Sequence, residues 1–287
     1  MTRTDWIKTG LASLACAALG GTPALAESCA AVCVLWIVEG DGGPQATLVD
    51  PATGGAQELG MLDGTVQALF PGDDGRTVVT SGGVFAIDAG GVEELAPALP
   101  GDDVELIASE DGGALTITGF SWSGEGDPVC HAFTLTGGAW TEASSQSGLP
   151  METCDTPAED LRAGACVGPD CAESYDPPGG ALRGALEWTS DEDITGTLAP
   201  AGAAYRLMYK LVMGDTLHVL GPVLLLDAQG AVVQTLGASE DQFTLWQHGA
   251  LVLATDQYSG AQPLVIDLAA GRILWEADEG MAVWLEP

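Results

Sequence analysis

The stretch QPLVIDLAAGRILWEAD, residues 262–278, decides the fold. PLVID has the aliphatic and β-branched composition of a strand, LAAG turns the chain at Gly271, and RILWEA makes a second strand. The same shape recurs as ATLVDPATGGAQEL at 46–59, VFAIDAGGVEEL at 84–95, AFTLTGGAWTEA at 132–143 and VLLLDAQGAVVQTL at 223–236. A degenerate copy, SYDPPGGALRGAL, stands at 174–186. The residue that enters each turn is Asp50, Asp88, Thr136, Asp176, Asp227 and Asp267, at steps of 38, 48, 40, 51 and 40. The aspartates act locally. A carboxylate there can accept backbone N–H bonds of the turn, and the glycine that follows supplies positive φ. They are read as structural, not as a catalytic set.

A second hairpin precedes the first in several repeats. VQALFPGDDGRTVVTSG (66–82) places Asp74-Gly75 between two strands, VELIASEDGGALTITG (104–119) places Asp111-Gly112, and FTLWQHGALVLAT (243–255) places His248-Gly249. Two hairpins per period make four strands per period, which is the blade of a β-propeller. The expectation is an all-β chain of six four-stranded blades, with five as the alternative count. A ring must close. VLWIVEG (34–40) and QATLVD (45–50) leave the first blade one strand short, and the chain ends on a spare strand, MAVWLE (281–286). That last strand is expected to complete the first blade and remove the open edges.

At this level the chain resembles known repeats. FPGDDGRTVVTSGGVFAID (70–88) is similar to the repeats of WD40-like and TolB-like propellers. IDLAAGRILW (266–275) resembles a quinoprotein repeat of the PQQ type, with Asp267, Gly271 and Trp275 at that motif's spacing. The resemblance implies architecture. Only the last repeat keeps the full Asp-Gly-Trp spacing, and such propellers usually have more blades than this chain has room for, so no quinone cofactor is inferred.

Residues 145–181 break the pattern and hold three cysteines. Within them Thr156, Pro157 and Glu159 form the start of a short helix ending near Ala165. This segment reads as an insertion or a degenerate fourth blade, braced by disulfides because it cannot bury enough apolar surface.

Residues 1–26 have the form of an export signal: Arg3 and Lys8, the apolar run GLASLACAALGG (10–21), and small residues at Ala24 and Ala26 for cleavage. SLAC (13–16) offers Cys16 as a lipidation rival, but serine stands where a large aliphatic residue is usual. The remaining chain, 27–287, is one propeller domain of 261 residues (287 less 26), and no segment reaches the roughly 18 apolar residues of a membrane span. The expected location is periplasmic or secreted. Six cysteines follow the signal: Cys29, Cys33, Cys130, Cys154, Cys166 and Cys171. An even count in an exported chain points to three disulfides. Fifteen pairings are open, and proximity favours Cys29 with Cys33, Cys166 with Cys171, and Cys130 with Cys154.

Net charge is −33, and −34 once the signal's +1 (Arg3, Lys8, Asp5) is removed. Such a surface repels nucleic acid and anionic lipid, and suits solubility, cations or a basic protein partner. His131, His218 and His248 show no metal-ligand spacing, and no nucleophile elbow, phosphate loop, HExxH or CxxC motif occurs. Asp191, Glu192 and Asp193 are the one candidate metal set, for calcium, against the plainer reading of an exposed acidic turn. Asp73-Asp74 and Asp102-Asp103 read as acidic turns too. Trp36, Trp246, Trp275 and Trp284 fall in strands and are expected between blades, while Trp122 and Trp188 lie near loops. The functional expectation is a binding scaffold whose contact surface is the acidic rim or the cysteine-rich segment. The alternatives are an enzyme with its site at the central channel, a metal-dependent hydrolase or lactonase, or an accessory subunit paired electrostatically with a basic redox protein.

Overall fold

The computed structural model describes residues 32–72, 75–98, 105–111, 114–121, 129–136, 139–147, 172–174, 180–187, 194–213, 217–239, 241–256 and 262–285. The chain folds as an all-β propeller of antiparallel sheets. The first sheet begins with β1 (Cys33–Val38), β2 (Gln45–Asp50) and β3 (Gly55–Met61). The second holds β4 (Val66–Gly72), β5 (Gly75–Thr80), β6 (Gly83–Asp88) and β7 (Gly91–Pro97), and the third β8 (Glu105–Asp111), β9 (Ala114–Ser121), β10 (Val129–Thr136) and β11 (Ala139–Ser147). The fourth comprises β12 (Ala172–Ser174), β13 (Ile194–Leu198), β14 (Arg206–Met213), β15 (Leu217–Leu226) and β16 (Val232–Leu236). The fifth comprises β17 (Gln242–His248), β18 (Leu251–Asp256), β19 (Leu264–Asp267) and β20 (Arg272–Glu276). A short ladder, Val219↔Phe243 and Leu220↔Gln242, joins these last two groups of strands into one continuous nine-stranded sheet.

The last strand, β21 (Met281–Leu285), leaves the fifth sheet and becomes the first strand of the first sheet, in the order β21-β1-β2-β3. Its register on β1 runs Cys33↔Leu285, Val34↔Trp284, Leu35↔Val283, Trp36↔Ala282 and Ile37↔Met281. The expected closure is therefore present.

Alternation along each strand explains why the sheets stand face to face. Successive side chains point to opposite faces. Cys33, Leu35, Ile37, Val283 and Leu285 pack with Leu69, Val78, Phe85 and Ile87 of the second sheet. Their neighbours Val34, Ala282 and Trp284 pack the other way, on Leu253 and Val265 of the fifth. The fifth sheet repeats the division: Phe243, Leu245, Val252, Ala254 and Ile266 join the fourth sheet's Leu207, Tyr209, Leu211 and Leu225. Each of these two blades is thus packed on both faces. The outermost strands show the contrast by exposure: β16 has Val232 at 41% and Val233 at 50%, whereas Leu35 and Val34 on β1 are at 0%.

The turn aspartates behave as their sequence position requires. Asp50 Oδ1 accepts from Ala52 N at 2.9 Å, and Asp50 Oδ2 accepts from the Thr53 hydroxyl at 2.7 Å. Asp88 Oδ1 accepts from Gly90 and Gly91, Asp227 Oδ1 from Gln229 and Ala231, and Asp267 Oδ1 from Ala269 and Ala270. At the last turn Gly271 has φ of +66°, and a Cβ there would lie 2.4 Å from the Tyr205 ring, so both conformation and space require glycine.

Two local expectations are corrected. The hairpin expected at 174–186 is not one: Gly180–Ala185 form a helix, α1. Its Leu182, Ala185 and the following Leu186 cover Met208, Leu224 and Leu226 on the fourth sheet. Lys210, only 6% exposed, gives its Nζ to the Glu187 carbonyl at 3.3 Å just past the helix end. The hairpin at 243–255 closes at His248↔Leu251, so Gly249 and Ala250 make the turn and His248 ends the strand. The remainder of the degenerate fourth blade, including Asp176 and the helix start at Thr156, lies outside the described residues. Cys33 is disulfide-bonded and Cys130 sits on β10, while Cys29, Cys154, Cys166 and Cys171 lie outside the described residues.

Val283, Trp284 and Leu285 are 5, 8 and 2% exposed. At roughly 1.5–3 kcal/mol for each large side chain, they contribute on the order of 5–9 kcal/mol. Net stability of a domain is only about 5–15 kcal/mol. Removing residues 281–287 is expected to abolish the cooperative thermal transition seen by circular dichroism, and a truncated chain melting like the full one would contradict the closure. Asp267→Ala, by contrast, loses two turn bonds and is expected to cost about 1–3 kcal/mol in a denaturant titration.

Candidate functional site

Antiparallel four-stranded blades have two ends. One carries the turn between the first and second strands and the turn between the third and fourth. The other carries the link between the second and third strands and the linkers from blade to blade. At the first end the carboxylates of Asp50, Asp88, Asp227 and Asp267 are occupied by backbone N–H groups. At the second end the carboxylates vary: Asp241 Oδ2 accepts from Ala238 N at 2.6 Å, whereas among the described residues those of Asp41, Asp278 and Glu279 accept no hydrogen bond.

A cleft of about 230 Å³ opens at this second end, where β1 leaves the first sheet and β21 enters it. Its lining is Ile37, Val38, Glu39, Val66, Glu279, Gly280 and Met281. Met281 starts β21 and Val66 starts β4, so the cleft sits where the first strands of two adjacent blades begin. The closing ladder ends at Ile37↔Met281, and Glu39 and Glu279, which lie beyond it, both line the cleft.

Each glutamate is tied to the scaffold in its own way. Glu39 Oε1 accepts from Val66 N at 3.2 Å, bridging the first and second blades. The backbone carbonyl of Glu279 accepts from Trp36 Nε1 at 2.9 Å. Gly280 has φ of +105°, and a Cβ on it would come within 2.6 Å of Trp36 Nε1 and 2.7 Å of the Ile37 carbonyl. Only glycine lets the linker approach β1 this closely.

Behind the cleft, the tryptophans expected between blades are there. Trp36 meets Trp275 edge to face, with centroids 6.0 Å apart. Trp284 Nε1 donates to the Trp246 carbonyl at 3.0 Å, and the His248 ring lies 6.3 Å from the Trp284 ring. From the second blade, the Arg76 guanidinium donates to the Trp284 carbonyl.

The candidate metal set Asp191, Glu192 and Asp193 lies outside the described residues, as do Trp122, Trp188, Asp73-Asp74 and Asp102-Asp103. His131 is on β10 and His218 on β15, in different sheets. Among the described residues, no group of three or more His, Cys, Asp or Glu is placed to hold a metal ion. Glu39 and Glu279 escaped the sequence reading. The available signal was a Glu-Gly pair at the end of one strand and again just before another, Glu39-Gly40 and Glu279-Gly280.

No family model matches the chain, and no curated protein matches it. Solved structures do. A candidate 6-phosphogluconolactonase from Bacteroides fragilis is 13% identical, over 90% of this chain and 99% of that one, with a TM-score of 0.41. A second, from Bacteroides uniformis, is 12% identical over 84% and 81%, with a TM-score of 0.34. The WD40 domain of SCAP from fission yeast is 8% identical over 87% and 56%, with a TM-score of 0.23. At these identities and scores the likeness adds nothing to what the strand pairings establish.

The indole bond fastens the linker at the cleft. Trp36→Phe keeps the ring packing and removes the donor to Glu279, and it is expected to cost about 0.5–1.5 kcal/mol in a thermal melt. A loss beyond ~3 kcal/mol would mean that the ring's packing was disturbed as well.

Proposed function

We propose that the protein is an exported propeller, periplasmic or secreted after cleavage near Ala26, that serves as a binding scaffold for a basic protein. The observation that carries this reading is where the charges stand. Eight cations face 41 acids in the whole sequence, and residues 1–26 hold two of the eight. Of the six that follow, Lys210 is buried under α1 and Arg76 donates to the carbonyls of Gly75 and Trp284. Their charge is spent inside the fold, and the surface is more acidic than composition alone implies.

A field of this sign steers cationic surfaces toward it and repels nucleic acid and anionic membrane. The propeller adds rigidity: its blades hold acidic linkers at fixed positions without ordering cost on binding. The plainer alternative, an acidic chain that merely stays soluble, would need no folded end with vacant carboxylates.

The test uses the whole chain immobilised and exposed to periplasmic extract at two salt concentrations. Proteins retained at low salt are expected to be basic and to elute by about 1 M salt, where the screening length falls to about 3 Å. Retention of neutral or acidic proteins, unchanged in high salt, would refute the proposal.

A further inference from the structure

We infer that dissolved salt sets the stability of this propeller: cations of the surrounding solution offset a self-repulsion that the chain's own side chains leave in place. The inference needs no partner and goes beyond the proposed function. Residues 27–287 hold 40 acids and six cations, since 1–26 take one of the 41 acids and two of the eight cations. The few cations are not spent on the acids. Lys210 gives its ammonium to the Glu187 carbonyl, and Arg76 donates to the carbonyls of Gly75 and Trp284. Among the described residues, the side chains of Arg206 and Arg272 make no hydrogen bond or ion pair. Arg206 is half-buried, and its Nε meets no acceptor.

This placement fixes the sign of the salt effect. Salt screens the attraction between unlike charges as well as the repulsion between like ones. A fold laced with ion pairs can lose as much as it gains. Here Lys210, Arg206 and Arg272 have no ion pair to lose among the described residues. Repulsion among the acids acts against the compact state, because unfolding moves the charges apart. The rim of the first two blades shows this locally. β3 and β7 lie side by side there, close enough that a Cβ on Gly60 would stand 3.3 Å from the Val92 side chain. Glu58 on β3 and Glu93 and Glu94 on β7 are exposed beside this contact, and neither strand holds a lysine or arginine.

Range decides the size of the effect. A domain of 261 residues has a radius of gyration of about 18 Å. The screening length is about 30 Å at 0.01 M salt and about 3 Å at 1 M. In dilute buffer each acid is therefore felt across the whole molecule. At high salt it is felt only by its immediate neighbours.

The experiment follows thermal unfolding of the whole chain by circular dichroism, from about 0.01 M to about 1 M sodium chloride. Three proteins are compared: wild type, a first triple variant (Glu58→Gln, Glu93→Gln, Glu276→Gln) and a second (Glu58→Lys, Glu93→Lys, Glu276→Lys). These glutamates are exposed on β3, β7 and β20, and among the described residues their carboxylates accept no hydrogen bond. The variants move the charge of residues 27–287 from −34 to −31 and −28, by three and six charges. The wild-type Tm is expected to rise by about 5 °C or more over this range of salt. Repulsion scales with the square of the charge, so the second variant is expected to lose roughly a third of the wild-type slope and the first about half as much as that. A Tm that stays flat or falls with salt would overturn the inference. So would a rise of equal slope in all three proteins, because strengthened burial of apolar surface depends on no charge. Binding of a basic partner has the opposite salt dependence, so failure of that reading leaves this one standing.

Discussion

The pairing of β21 with β1 is the constraint on which the structure depends. It joins residues about 250 positions apart in sequence, with Cys33 opposite Leu285 (285 less 33 is 252). Without it the first blade would present β1 as an open edge, and the fifth blade would lose the surface that covers Leu253 and Val265. The strand is held by more than its ladder. Arg76 from the second blade reaches the Trp284 carbonyl, the Trp284 indole reaches the Trp246 carbonyl on the fifth, and Trp36 of the first anchors the linker at Glu279. Three blades therefore grip one five-residue strand and its approach. Loop-closure entropy grows only slowly with length, so joining such distant segments costs little more than joining near ones.

This grip works because side chains on each strand alternate between two neighbours. A blade has no inside of its own; its two faces belong to two different cores. Leu35 and Val34 are adjacent in sequence, fully buried, and members of separate clusters. Loss of one blade exposes a face on each side of the gap, so stability is shared around the ring. On the fourth sheet, α1 and the residue after it take over this covering role with three short apolar side chains.

What was legible in the sequence is what is local. The turn aspartates bond to atoms two to four residues on, so a short window contains the whole interaction. The tryptophans between blades were legible because strand composition placed them, and the spare C-terminal strand was legible by counting. The helix at Gly180–Ala185 is hidden in the sequence because an Asp-Pro-Pro-Gly-Gly frame looks like the other turns. Yet Leu182, Ala185 and Leu186 carry helical spacing, and alanine, leucine and arginine are good helix formers. Glu39 and Glu279 could not be paired by inspection at all. Their separation is 240 residues, and only the closing of the ring brings both to one cleft.

Strand order also sorts the acids between the two ends of the blades. At one end of the blades, carboxylates satisfy turn N–H groups and are part of the backbone's own hydrogen bonding. At the other end the links differ among themselves: Asp241 accepts from Ala238 N and Glu39 from Val66 N, while Asp41, Asp278 and Glu279 accept no hydrogen bond among the described residues. A carboxylate has about four lone-pair sites, and Asp88, Asp227 and Asp267 use only Oδ1 for their backbone bonds, so the turns take half of their capacity. The division follows from topology, because four strands per blade put the tight hairpins ending each third strand at one end and every linker at the other.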